Sequence, residues 1–127
     1  MEVILDTELL EFYNSGQKDF CNLRVYNSNS FNSSPKLKGK NLSGINLSGS
    51  NLYNANLENT NLSGASLIST NLTNAKFQGA NLQGADLQEA NLSHANLENA
   101  NFCGVDLSKT FLLRTILHNS LIDENTG

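Results

Sequence analysis

Residues 80–94 read Ala80-Asn81-Leu82-Gln83-Gly84-Ala85-Asp86-Leu87-Gln88-Glu89-Ala90-Asn91-Leu92-Ser93-His94. Every fifth residue is leucine, with a small residue two before it and a polar residue one before it. A period of five fits neither the roughly 3.6-residue turn of an α-helix nor the two-residue alternation of a flat strand. It requires a backbone that turns a corner at each repeat.

Outward from this stretch the large apolar position is kept without a miss from Leu37 to Ile122, eighteen times in all, with Phe77 and Phe102 among the leucines. The slot two before it holds Ala55, Ala65, Ala75, Ala80, Ala85, Ala90, Ala95 and Ala100, with Ser50, Thr60, Thr70, Thr110 and Thr115 as near equivalents. Two inward residues per side leave room for one large and one small side chain, because overfilling a packed interior costs about 1–3 kcal/mol. The residue just before the centre is usually Asn, and alternation turns it outward. Two after the centre come Gly44, Gly49, Asn54, Asn59, Gly64, Asn74, Gly79, Gly84, Asn99 and Gly104. These residue types tolerate the positive φ of a type II turn. Ser69, Glu89, His94, Lys109 and Arg114 share that slot and predict corners of another type.

This Ala-Asn-Leu-x-x pattern resembles the pentapeptide-repeat family, and the resemblance covers Leu37 to Ile122. It implies an all-β fold, a right-handed quadrilateral β-helix (a pentapeptide-repeat solenoid) in which four repeats make one coil. At about 4.8 Å per stacked strand the regular part would be roughly 20 Å long. Stacking by coils then places Leu42, Leu62, Leu82 and Phe102 in one column and Leu57, Phe77, Leu97 and Leu117 in another.

A solenoid exposes an apolar disc and unpaired edges at each end, so its ends need covers. Asp6 or Thr7 can cap a helix, Glu8 favours its first turn, and Gly16 can end it. Leu5, Leu9, Phe12 and Tyr13 would share one face. The segment from Glu8 to Phe20 resembles the helical cap of cyanobacterial family members; an independent interaction helix is the other reading. Phe20 and Val25 suit an imperfect first coil, and Val25 to Leu37 slips phase by two, which predicts an inserted loop. The expected organisation is a cap over 1–19, a first coil with its loop over 20–36, the solenoid over 37–122 and a tail over 123–127. Tyr26 and Phe31 in the loop either pack back or form a contact site. At the other end Phe111, Ile116 and Leu121 stand where outward Asn is expected. Centring the frame on them would put Lys109, Arg114 and Asn119 inside, so they are read as exposed and as a self-association surface, with a local cap from Asp123 to Gly127, five polar residues that cover poorly, as the other reading.

Composition narrows the function. Charged residues make up 16% of the 127, so polarity comes from Asn and Ser. A net charge of −4 gives no basic footprint for nucleic acid. Cys21 and Cys103 match no metal or redox spacing and suit a reducing compartment. No apolar run is long enough to span a bilayer and the start lacks signal-peptide features, so a cytoplasmic protein is expected. The Asn-Leu-Ser/Thr sites follow from the repeat. His94 and His118 are the only histidines, Asp86 and Asp106 are mild like-charge neighbours one coil apart, and no base, nucleophile or phosphate-binding motif is assembled. No catalysis, cofactor, metal, nucleic acid or membrane is therefore expected.

The expected function is a non-enzymatic scaffold for an unidentified protein partner, with a possible homodimer through the C-terminal end. The resemblance offers an alternative, a DNA-mimic modulator of DNA gyrase. That role needs a dense row of acids, whereas residues 36–114 carry five acids against six bases. An ice-binding face would need outward Thr ladders, and the Thr here fall in the inward slot.

Overall fold

The structure is a computed structural model that describes residues 1–30 and 33–123. Outward residues of successive coils pair in parallel at a spacing of twenty. Asn41, Asn61, Asn81, Asn101 and Leu121 form one ladder; Lys36, Asn56, Lys76, Asn96 and Ile116 a second; Asn51, Asn71, Asn91 and Phe111 a third. A fourth runs from Asn46 through Ser66 to Asp86. Four ladders at four successive repeats make a square coil, the right-handed quadrilateral β-helix that the family resemblance implies.

Each repeat builds the same hydrogen bonds. Leu82 N–H donates to the Asn101 carbonyl at 2.9 Å, and Asn101 N–H returns to Ala80 at 2.9 Å. At the corner Ala85 N–H donates to the Leu82 carbonyl at 2.9 Å, closing the turn. The outward Asn has a local task as well: Asn81 Oδ1 accepts the N–H of Gln83 at 3.0 Å. Asn41, Asn46, Asn51, Asn56, Asn61, Asn71, Asn91, Asn96 and Asn101 repeat it. Asp86 and Asp106 do the same with a carboxylate.

The interior is a stack of centre residues, Leu37 to Phe102, all buried. Burying each contributes on the order of 1.5–3 kcal/mol. Where the small slot holds a hydroxyl, it finds a carbonyl one coil below. Thr60 Oγ1 donates to Leu37 at 2.9 Å, and Thr70 Oγ1 to Leu47 at 2.9 Å. The small slot is less strict than the sequence suggests, because Ile45 and Val105 fill it fully buried. They lie at the two ends of one column, with Ala65 and Ala85 between them leaving the space.

The corners correct a further expectation. Ser69, Glu89, His94 and Arg114 do not make another type of corner; their φ of 54°, 59°, 62° and 56° match those of the Gly and Asn corners. The ladder's hydrogen bonds impose the left-handed conformation on whatever residue falls there. Lys109 alone of that set is not left-handed, and nearby the fourth ladder breaks: Asp86 and Asp106 form no bridge.

The N-terminal segment adds a strand that the sequence reading passed over. β1 (Glu2–Leu5) pairs in parallel with β2 (Leu23–Tyr26), so Val3 extends the third ladder beyond Arg24. Leu5 ends this strand and is the N-cap of α1 (Asp6–Asn14), not part of the helix's apolar face. Neither Asp6 nor Thr7 is the cap; Glu8 reaches back to the Leu5 N–H at 3.1 Å. Leu9 and Tyr13 cover the first coil, while Phe12 faces outward at 46% exposure, one position off the buried stripe. Tyr13 Oη donates to the Ser43 carbonyl at 2.6 Å, and Lys18 Nζ lies 3.7 Å from the Tyr13 ring centroid. Gly16, with φ of +109°, lets the backbone leave the helix.

Phe20 and Val25 are buried on the first coil, yet Asp19 pairs with Asn46 and Arg24 with Asn51, a spacing of twenty-seven. Lys36 with Asn56 restores twenty. The seven extra residues are the inserted loop, placed at one corner of the square. Ser50 Oγ registers the same shift: it donates to the Phe20 carbonyl at 2.8 Å.

Candidate interaction surfaces

Two places depart from the uniform Asn-covered surface. The first is the inserted loop. Its ends are pinned by Asp6, a carboxylate that is buried although it belongs to the first turn of α1. Oδ1 accepts the N–H of Thr7 at 2.8 Å and of Ser28 at 2.9 Å, and Oδ2 accepts the N–H of Lys36 at 2.8 Å. Inside the loop the buried Asn27 does similar work. Its Nδ2 donates to the Ser34 carbonyl at 2.7 Å and its Oδ1 accepts the Asn29 N–H at 2.8 Å. Buried polar groups satisfied in this way hold a loop in one shape.

Alternation along β2 turns Val25 inward and Arg24 and Tyr26 outward. The Arg24 guanidinium stacks over the Tyr26 ring at 4.9 Å from its centroid. Across from them Tyr53 and Asn54 belong to the next coil, and Asn54 Nδ2 reaches Ser34 Oγ at 2.8 Å. Arg24, Tyr26, Ser34, Pro35, Tyr53 and Asn54 thus surround a pocket of about 250 Å³. Tyr26 is half-buried at its rim. Phe31, its expected companion, lies outside the described residues.

The second place is the C-terminal end. Phe111, Ile116 and Leu121 terminate three ladders, with their N–H groups bonded to Ala90, Ala95 and Ala100 of the coil before. Their side chains are 59%, 48% and 58% exposed. Leu113 adds a further exposed apolar side chain on the Phe111 face. The centre residues Leu117 and Ile122 are uncovered too, at 41% and 68%, because among the described residues no coil follows.

The ladder Arg24–Asn51–Asn71–Asn91–Phe111 puts the pocket and one corner of the apolar end on a single face. Four strand spacings of about 4.8 Å separate them by roughly 19 Å. Sequence reasoning singled out Tyr26 but not Arg24, Tyr53 or Asp6. Arg24 meets Tyr53's repeat only once the loop is known to add seven residues. Asp6 carries no sequence mark beyond its fitness as a helix cap.

Chemistry is sparse elsewhere. His94 and His118 are exposed. Among the described residues no group of three or more His, Cys, Asp or Glu side chains is placed to hold a metal. Asp19, exposed beside Cys21, accepts its N–H at 3.2 Å. Hydrogen bonding from Cys21 holds the Asp19 carboxyl below its usual range, and the same carboxylate pushes the Cys21 thiol up. Hydrogen bonds from Ser108 likewise lower Asp106. No helix among the described residues is long and apolar enough to cross a membrane.

The family described as Pentapeptide repeats matches residues 41–79 and 80–119, in eight copies. Comparison with curated protein sequences finds no match. Among solved structures the protein is similar to alr5209, a pentapeptide repeat protein from Nostoc, at 29% identity and a TM-score of 0.73, over 97% of this chain and 100% of that one. It is also similar to HetL from the cyanobacterium Nostoc, a pentapeptide repeat protein involved in heterocyst differentiation regulation, at 32% identity and a TM-score of 0.63. That match covers 81% of this chain, which spans 44% of HetL's length. Eight copies of the repeat, the ladder spacing of twenty and these neighbours agree: the chain belongs to the pentapeptide repeat family.

Proposed function

We propose that the protein is a non-catalytic protein-interaction scaffold that self-associates through its C-terminal end and offers the loop side to another protein. The observation that carries this is the replacement of outward Asn by Phe111, Ile116 and Leu121 on three faces of one coil, all exposed beside the uncovered Leu117 and Ile122. Exposed apolar side chains gathered around one terminal disc support an association surface. A two-fold pairing of two such ends would cover both discs with one self-complementary patch.

The DNA-mimic alternative has a specific observation against it. Asp86 and Asp106 make the same local hydrogen bond as the outward Asn residues, so a single carboxylate fits that slot, although the ladder breaks where these two would stack. Ten Asn residues nonetheless occupy it with that bond. The surface carries neutral Asn where a DNA mimic would carry acids.

Light scattering tests the self-association reading. The wild-type protein should weigh twice its 13.8 kDa, and Phe111→Glu should weigh that mass once while keeping its β circular dichroism. A monomeric wild type at tens of micromolar would overturn it.

A further inference from the structure

The pocket beside the inserted loop holds a positive charge with no acid to neutralise it. Among the described residues the one ion pair joins Lys38 to Glu58 at 3.5 Å, and it leaves Arg24 without a carboxylate. Both oxygens of Asp6, at the base of the loop, are committed to backbone N–H groups. Lys36 and Lys40, both exposed, follow the loop and add charge of the same sign in a protein whose net charge is −4.

The polar groups around Arg24 include hydrogen-bond donors. Tyr53 lines the pocket, and its Oη accepts from Asn74 Nδ2 of the following coil at 3.0 Å, which leaves the hydroxyl proton uncommitted in that bond. Asn54 Nδ2 spends one hydrogen on Ser34 Oγ and keeps the other. The acceptor Asn51 Oδ1 is already used by the Tyr53 N–H at 2.9 Å and by Asn71 Nδ2 at 3.4 Å. Stacking on Tyr26 pre-orients the guanidinium, whose planar fork matches two oxygens held in one plane. The pocket's volume of about 250 Å³ lies just under the roughly 300–1,000 Å³ of small-molecule clefts, the size for a side chain or two of a peptide.

We propose that this pocket binds a carboxylate of an acidic peptide segment, with the Arg24 guanidinium as the fork and the Tyr53 hydroxyl as a second donor. The inference rests on the loop side being a protein contact and is independent of the self-association end. A Glu or Asp side chain and the terminal carboxylate of a polypeptide present the same group.

Amide spectra of the full-length ¹⁵N-labelled protein test it with four probes. These are acetylated, amidated Gly-Glu-Gly-Glu-Gly; acetylated pentaglycine with a free carboxylate; acetylated, amidated Gly-Gln-Gly-Gln-Gly; and inorganic phosphate. Saturable shifts at the Arg24, Tyr53 and Asn54 amides are expected with a carboxylate peptide and not with the glutamine peptide. Whichever carboxylate probe binds more tightly identifies side chain or terminus. Arg24→Gln should weaken binding by about tenfold or more, as loss of a charge-assisted pair does. Tyr53→Phe should weaken it less, and both variants should keep the wild-type circular dichroism. Equal shifts with the glutamine peptide, saturation by phosphate as tight as by either peptide, or unchanged affinity in Arg24→Gln would overturn the proposal. Light scattering on the same samples separates the two readings. Localised peptide shifts on a monomer sink the self-association alone, and a dimer without shifts sinks the carboxylate site alone.

Discussion

The Asp6 carboxylate accepts the backbone N–H of Lys36 at 2.8 Å across thirty residues of sequence, and in doing so closes the inserted loop onto the N-terminal helix. Strand, helix and loop meet at this one side chain. β1 ends one residue before it, α1 begins with it, and its other oxygen holds Ser28 at the loop's far end.

Removing that acceptor leaves N–H donors without a partner in a buried setting. Asp6→Ala is therefore expected to lower the unfolding free energy by about 2–3 kcal/mol in urea titrations. Limited proteolysis should then cut between Tyr26 and Lys36 sooner than in the wild type. A loop as protected as before would show that Asn27 alone maintains it.

The corners allow a paired test. Gly64 has φ of +66° and open space where a Cβ would go, so Gly64→Ala isolates the backbone cost. That cost is roughly 1–2 kcal/mol. His94 has φ of 62° and already bears it, so His94→Gly should gain about 0.5–1 kcal/mol once the added freedom of the unfolded state is subtracted. Opposite shifts in thermal midpoint are expected, and shifts of the same sign would refute the backbone explanation.

Asp19 raises the Cys21 thiol by hydrogen bonding and by its negative charge. The thiolate is the reacting form, and a raised value means less of it at mildly alkaline pH. Asp19→Asn removes the charge, lowers the thiol's value and should speed alkylation of Cys21 by iodoacetamide severalfold at pH 8. Mass spectrometry following both cysteines gives Cys103 as the internal reference. An unchanged Cys21 rate would exclude the carboxylate as the cause.

The solenoid was legible because its determinants are local and repeat. Leu at the centre, Ala, Ser or Thr beside it, Asn outside and a left-handed corner each act within a few residues of one another. The break at Asp86 and Asp106 was half legible: the like charges were visible, the lost bridge and the changed corner at Lys109 were not. Corner type was misread at Ser69, Glu89, His94 and Arg114 because residue preference is weaker than ladders on both sides of the turn.

By itself, then, the five-residue period determined a chain that turns a corner at every repeat and a frame that leaves Phe111, Ile116 and Leu121 exposed. The turning follows from short-range alternation and corner residues, the four-sided coil and its columns from the resemblance to the pentapeptide-repeat family, and a frame that buried those three would also bury Lys109 and Arg114. Tertiary structure alone decided what surrounds the first coil. β1 joins the ladder, Asp6 closes the loop, and Arg24 and Tyr26 come to face Tyr53. These contacts join residues twenty or more positions apart across an insertion whose seven-residue length no local preference encodes. Only the shared register of neighbouring strands could set it.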